Sequence, residues 1–161
     1  MTNILVPILA AASALGAGLV AGALFGFSTI VMRGLAALPP EQGAAAFKAI
    51  DLMVMRTLFV VVFVGTGLLS ALALVLGITG WNRSDGPYLV AGGVLYLVGV
   101  IGITRAVHLP RNSALAAVDA DSREGRELWT RVFPTWVRWN HVRTVIALAA
   151  SAAFMVALRL T

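Results

Sequence analysis

A chain of 161 residues that is 60% hydrophobic and only 12% charged lies far from soluble domains, which are about half apolar and about a quarter charged. With a mean hydropathy of +0.92, it reads as an integral membrane protein of single-domain length, residues 1–161. The absence of cysteine excludes disulfides, thiolate zinc sites and iron–sulfur clusters, and the net charge of +5 reads as a topology signal, not as a nucleic-acid surface.

The first apolar run lacks a positive leader and continues through Ile30. That is too long for a signal peptide, so it is the first expected span, at about residues 4–32. Ala14, Gly18, Gly22 and Gly26 recur every four residues along it. Such a ridge lets helix backbones approach closely in lipid, or leaves room for a flat ligand. The second span is expected at about residues 52–80, with Arg56 near its start. Its stripe Asp51, Met55, Leu58, Val62, Thr66 and Leu69 would face one way.

The turn WNRSDGP follows, then a third span at about residues 88–107 carrying Gly92, Gly93, Gly99 and Gly102. Pro110 is expected to stop this helix, with His108 in its last turn and Asn112 capping a short helix to Val118. Asp121 or Ser122 would cap a second short helix through Arg131, stopped before Pro134. Leu128, Trp129 and Phe133 suit the headgroup level. The fourth span is expected at about residues 140–158.

The fold class is therefore all-α, a four-transmembrane-helix bundle with short cytoplasmic-side helices between the third and fourth spans. Of 12 Lys and Arg residues, all but Arg83 and Arg159 fall on the side of the first and third connectors. By the positive-inside rule this places both long connectors in the cytoplasm and both termini outside the cell membrane. Gly-rich helix faces also permit a homo-oligomer.

Polar groups gather at the same end: Asp51, Arg56, His108, Asn112, Asn140, His141 and Arg143. Ionisable groups there mark a site by default, or else snorkel to the headgroups. At about 100° per residue, Trp136, Trp139, Asn140 and Arg143 share one sector of the fourth helix. Ala147 and Ser151 continue that sector, whereas Arg138 and His141 fall outside it. Asp51 reads either as a carboxylate at the bundle mouth, pairing with Arg143 or acting as a base, or as a helix N-cap. His108 reads either as a structural tie at a helix end or as a general base. No metal is expected; if one is present, His108, His141 and Asp51 are the donors, from three helices with no confirming spacing. The same histidines leave haem open.

Four motifs then occur in order: GLVAGALFGFSTIVMRGLAALP, FKAIDL, HLPRNSALAAVD and WVRWNHVRTV. Together they resemble the anthrone oxygenase-like family of small four-helix membrane proteins, over nearly the whole chain. The most specific parts are P-x-N-x-A-L at 110–115 and W-x-x-W-N-x-x-R-T at 136–144. The resemblance implies oxidation of anthrones to anthraquinones in polyketide pathways, with molecular oxygen and no added cofactor. Pro110, Asn112, Trp139, Asn140 and Arg143 match the family pattern. His108 and Asp51 stand where it usually has Asn, so two neutral amides become titratable groups.

Three functional readings follow. The first is a membrane-embedded oxygenase for a lipophilic aromatic, anthrone-like or phenolic substrate. His108 or Asp51 would remove a proton beside a carbonyl. Arg143, with Asn140 and Asn112, would hold the enolate, and Trp136 and Trp139 would stack the ring. The second is a metal- or haem-dependent oxidoreductase using the His/Asp set. The third is a non-enzymatic membrane module, a small transporter or partner subunit. A transporter, however, would show broken helices or polar groups at mid-membrane. Expected partners are a lipophilic small molecule and membrane lipid, with no nucleic acid.

Overall fold

The computed structural model describes residues 4–161. Among them there are five helical runs and no strand. Four are long and apolar enough to cross a membrane: α1 (Leu5–Ala36), α3 (Leu58–Thr79), α4 (Gly86–Ala117) and α5 (Arg123–Leu160). Between the first two lies α2 (Pro40–Val54). The expected all-α bundle with four candidate membrane spans is present.

Several expected boundaries are not. The second span does not begin at 52. The chain breaks at Met55–Thr57, and α3 starts at Leu58. Asp51 therefore sits near the C-terminal end of α2 and caps no transmembrane helix, and its stripe does not continue onto α3. Pro110 does not stop the third helix, because a widened π-helical turn at Thr104–His108 precedes it and the chain continues to Ala117. Such turns accommodate an interrupted hydrogen-bond ladder. The Arg111 guanidinium caps the Val107 carbonyl there at 2.9 Å. Asn112 lies inside this helix and does not cap it. The Ser122 hydroxyl does cap the next helix, accepting from the Gly125 N–H at 2.9 Å. That helix then runs through Pro134 into the fourth span. The expected short helices are thus the extended ends of α4 and α5.

α2 begins as its sequence suggests. Pro39 is extended, Pro40 occupies the first turn, where its missing N–H costs nothing, and Glu41 suits the helix dipole. Its Lys48 ammonium donates to the Val118 carbonyl at 2.6 Å, tying α2 to the end of α4.

Two apolar cores result. In the larger, Ala10, Ala17 and Ala21 of α1 lie against Ala147, Ala150 and Phe154 of α5. The Ser151 hydroxyl donates to the Ala14 carbonyl at 2.8 Å. The second core holds Leu35, Phe47, Leu115, Trp129 and Trp136, and it seats α2 over one end of the bundle. At the opposite end the Ser84 hydroxyl donates to the Leu160 carbonyl at 3.2 Å, joining the short turn to the C-terminal end of α5.

The glycines divide sharply. A Cβ at Gly22 or Gly26 would meet nothing within 4 Å, so that part of the expected α1 ridge packs against no other helix. At Gly77 a Cβ would lie 2.8 Å from the Gly86 carbonyl oxygen and 2.9 Å from the Val90 nitrogen. Because both neighbours are backbone, they cannot swing aside. Gly77→Ala is therefore expected to cost about 1–3 kcal/mol, the usual range for overpacking. It should lower the thermal midpoint in detergent, while Gly22→Ala leaves the midpoint unchanged.

Candidate functional site

A cavity of about 360 Å³ lies at the end of the bundle covered by α2. That is within the size range of small-ligand pockets. All five helices contribute to its wall, from Leu24 and Phe27 on α1 to Arg143 on α5. Much of the lining is apolar. The polar groups are Asp51, Thr104, Arg105, His108, Asn112, Asn140 and Arg143.

Arg143 is 5% exposed. One terminal nitrogen donates to the Thr104 hydroxyl at 2.7 Å and the other to the Asn140 side-chain oxygen. Its Nε–H has no partner. Among the described residues no carboxylate pairs with it: the ion pairs are Arg83–Asp85 and Arg123–Glu127. The sequence-level option of an Asp51–Arg143 pair is not realised. A buried cation without a counter-ion is costly, so the cavity is electrostatically suited to an anion.

Asn140 is fully buried, and its amide is saturated. The NH₂ donates to the Leu24 carbonyl at 2.8 Å and to the Ser28 hydroxyl at 2.5 Å, while its oxygen receives Arg143. It has no donor left for a ligand, so its work is to fix the guanidinium. The π-helical turn at Phe27–Val31 begins just beyond Leu24. A widened turn of that kind leaves carbonyls open to outside donors.

His108 is 2% exposed, and neither ring nitrogen makes a well-aligned hydrogen bond among the described residues, with the Ile103 and Trp136 backbones close to the ring. Its ring meets Trp136 edge-on, with centroids 4.9 Å apart and planes at 80°. Trp136 also packs against Phe27 and Phe47, and its indole N–H donates to the Asn112 oxygen at 2.9 Å. The Asn112 NH₂ in turn donates to the Asp51 carboxylate at 2.7 Å. The chain Trp136–Asn112–Asp51 thereby locks α5, α4 and α2 around the cavity.

Asp51 lies outside the candidate spans. Burial raises its pKa above the usual 3.8, and the Asn112 hydrogen bond opposes that rise. The sign follows. A raised carboxyl pKa favours the protonated folded form, so the contribution is full below the unfolded pKa and is lost as pH rises through the folded one. Asp51→Asn, which removes the ionisation, should therefore become more stable relative to the parent as pH rises from about 4 towards 7. Thermal midpoints measured across that range check this; a constant difference between the two proteins would contradict it.

The structure gathers Asp51, His108, Asn112, Trp136, Asn140 and Arg143 on one cavity. It does not gather Trp139 and His141. Trp139 is 36% exposed and His141 is exposed; neither lines the cavity. The triad His108, His141 and Asp51 is thus not assembled, and no group of three His, Asp or Glu among the described residues is placed to hold a metal. Thr104 and Ser28 were not anticipated. Thr104 lies four residues before His108 on the same helix, a spacing the sequence shows.

Fold and site together define a small four-span helical protein with a largely apolar cavity at one end of its bundle, carrying a few buried polar groups. The family model described as anthrone oxygenase matches residues 44–153, and the chain belongs to that family. The match contains every gathered side chain named above. Membership carries oxygenase-like chemistry as the broad function. Comparison with curated proteins and with solved structures gives no match.

Proposed function

We propose that the protein is an oxygenase that oxidises a lipophilic aromatic ketone or phenol through its enolate, with no cofactor beyond molecular oxygen. The observation that carries this is the Arg143 guanidinium, without a carboxylate partner, sharing a largely apolar cavity with the buried His108. His108 removes a proton from the carbon beside the carbonyl, or from the phenol. Asp51, already engaged by Asn112, is the weaker base. The enolate oxygen takes the free N–H groups of Arg143, held in place by Thr104 and Asn140. Preorganised donors of this kind act strongly where water is excluded. Trp136 bounds the ring.

For an anthrone the chemistry balances simply. Proton loss gives the enolate, and its electrons reduce oxygen at carbon to a hydroperoxide. Loss of water then gives the quinone, so one anthrone and one dioxygen yield one anthraquinone and one water. The bundle lies in the cell membrane with α2 and the third connector in the cytoplasm, in keeping with the charge asymmetry.

The test is turnover of anthrone by purified protein in detergent, followed as oxygen uptake and quinone absorbance. Elemental analysis and a spectrum of the same sample run alongside. One oxygen consumed per quinone by metal-free, colourless protein is expected. No uptake with anthrone or a panel of phenols, or activity that tracks a bound metal or haem, overturns the reading.

A further inference from the structure

α3 and α4 are antiparallel neighbours joined by the turn at 80–85, and they do not stay equally close along their length. At the turn end their backbones nearly touch. A Cβ at Gly77 would lie 2.8 Å from the Gly86 oxygen, and one at Gly93 would lie 2.8 Å from the Ser70 oxygen. Further along, one at Gly67 would lie 2.8 Å from the Ile101 side chain. Then Phe63 and Phe59 replace glycine on α3, and the Tyr96 hydroxyl holds the Phe63 carbonyl at 3.0 Å. Beyond that contact the cavity itself separates the helices, with Phe59 and Val60 on one side and Thr104 and Leu109 on the other.

Exposure shows which way the cavity opens. The lining residues Met55, Val64 and Leu109 are 67%, 50% and 49% exposed, whereas His108, Arg143 and Asn140 are 2%, 5% and 0%. Val64 and Leu109 belong to membrane-length helices. Between α3 and α4 the mouth is thus apolar at Val64 and Leu109 and faces lipid, while the least exposed lining groups, His108, Asn140 and Arg143, lie innermost. At the end of the bundle that would face water, α2 covers much of the cavity, its Phe47 packing on Trp129 and Trp136, while Asp51 and Met55 at its C-terminal end stay partly exposed. Arg105 is exposed at the cavity edge, one turn from His108. A long cationic side chain at such a position reaches for the headgroups, which sets the mouth just below the interface.

We propose that the cavity is entered sideways from the bilayer through the gap between α3 and α4. Its substrate is then an amphiphile that enters head first, an ionisable aromatic ring carrying an aliphatic chain that trails through the gap into lipid. The ring chemistry rests on the oxygenase reading above; the lateral route does not. An aqueous substrate would need a polar mouth on the α2 side, and a chainless one would leave Val60, Val64 and Leu109 unmatched.

The probe is 3-pentadecylphenol, with phenol as its chainless counterpart, bound to the full chain in phosphatidylcholine vesicles and followed through tryptophan fluorescence. Concentrations are expressed per lipid, so that partitioning does not count as affinity. Val64→Trp and Leu109→Trp narrow the mouth at exposed positions and should leave the thermal midpoint unchanged. Val75→Trp, exposed on α3 but away from the cavity, is the control. We expect the parent to bind the chained phenol more tightly than phenol, and each mouth variant to slow its binding tenfold or more while Val75→Trp does not. Unchanged binding rates in both folded mouth variants overturn the lateral route. Equal binding of the two phenols by the parent overturns the substrate class. Neither result depends on oxidation, so a failure of the oxygenase reading is seen separately, as absent oxygen uptake with intact binding.

Discussion

Arg143→Ala is expected to lower kcat/KM for the oxidised substrate by about 10²–10³-fold, the usual cost of removing a preorganised oxyanion donor. Most of the loss should appear in kcat, because the full negative charge on oxygen develops only as the proton leaves carbon. Arg143→Lys should rescue little. The guanidinium reaches Thr104 and Asn140 at once and still offers free N–H groups to a ligand. An ammonium is a point charge and cannot hold that fork. Stability should change far less than activity. The alanine leaves the Asn140 oxygen without its donor, at about 1–3 kcal/mol, but it also removes a buried charge that has no counter-ion. Thr104 keeps its bond to the Val100 carbonyl at 2.7 Å. Steady-state kinetics and a detergent melting curve on the same preparation separate the two effects. Full turnover by the alanine variant would remove Arg143 from the chemistry.

Asn140→Ala is a weaker lesion of the same kind. It strips the guanidinium of one tether and leaves the Leu24 carbonyl and Ser28 hydroxyl without their donor. It should reduce both stability and activity, where Arg143→Ala reduces mainly activity.

The residues of the site were more legible than the frame that holds them. Trp136, Asn140 and Arg143 follow from helical arithmetic, because spacings of four and three return to one face whatever the helix packs against. Trp139 sat at the edge of the same sector, and only the position of neighbouring helices decides that such an edge faces outward. The break at Met55–Thr57 carries no glycine or proline, so the sequence showed a continuous helix there. The chain instead turns there, with α2 seated on the second core by Phe47 and tied to the end of α4 by Lys48. Pro110 and Pro134 read as stops, yet both lie within helices, since tertiary packing outweighs a local breaker. Thr104 bonds to the Val100 carbonyl of its own helix, and its second role as an acceptor for Arg143 exists only in three dimensions.

His108→Leu is expected to move activity and stability in opposite directions. A positioned general base contributes about 10²–10⁴-fold, so kcat should fall by that order while KM changes little, since Arg143 and the apolar walls remain. Both imidazole nitrogens are buried without a well-aligned partner, and an under-satisfied buried polar group costs about 1–3 kcal/mol. Leucine has comparable bulk and no polar atoms, so the thermal midpoint should rise. A purely structural histidine would behave otherwise, because removing it would break a tie and lower the midpoint. Two further measurements sharpen the assignment. A substrate deuterated at the acidic carbon should show a primary isotope effect if proton removal limits the rate. Added imidazole should restore part of the turnover of His108→Gly, where the missing ring leaves room beside Trp136. A leucine variant that turns over normally would pass the role of base to Asp51, and the double variant with Asp51→Asn would then decide whether either group acts.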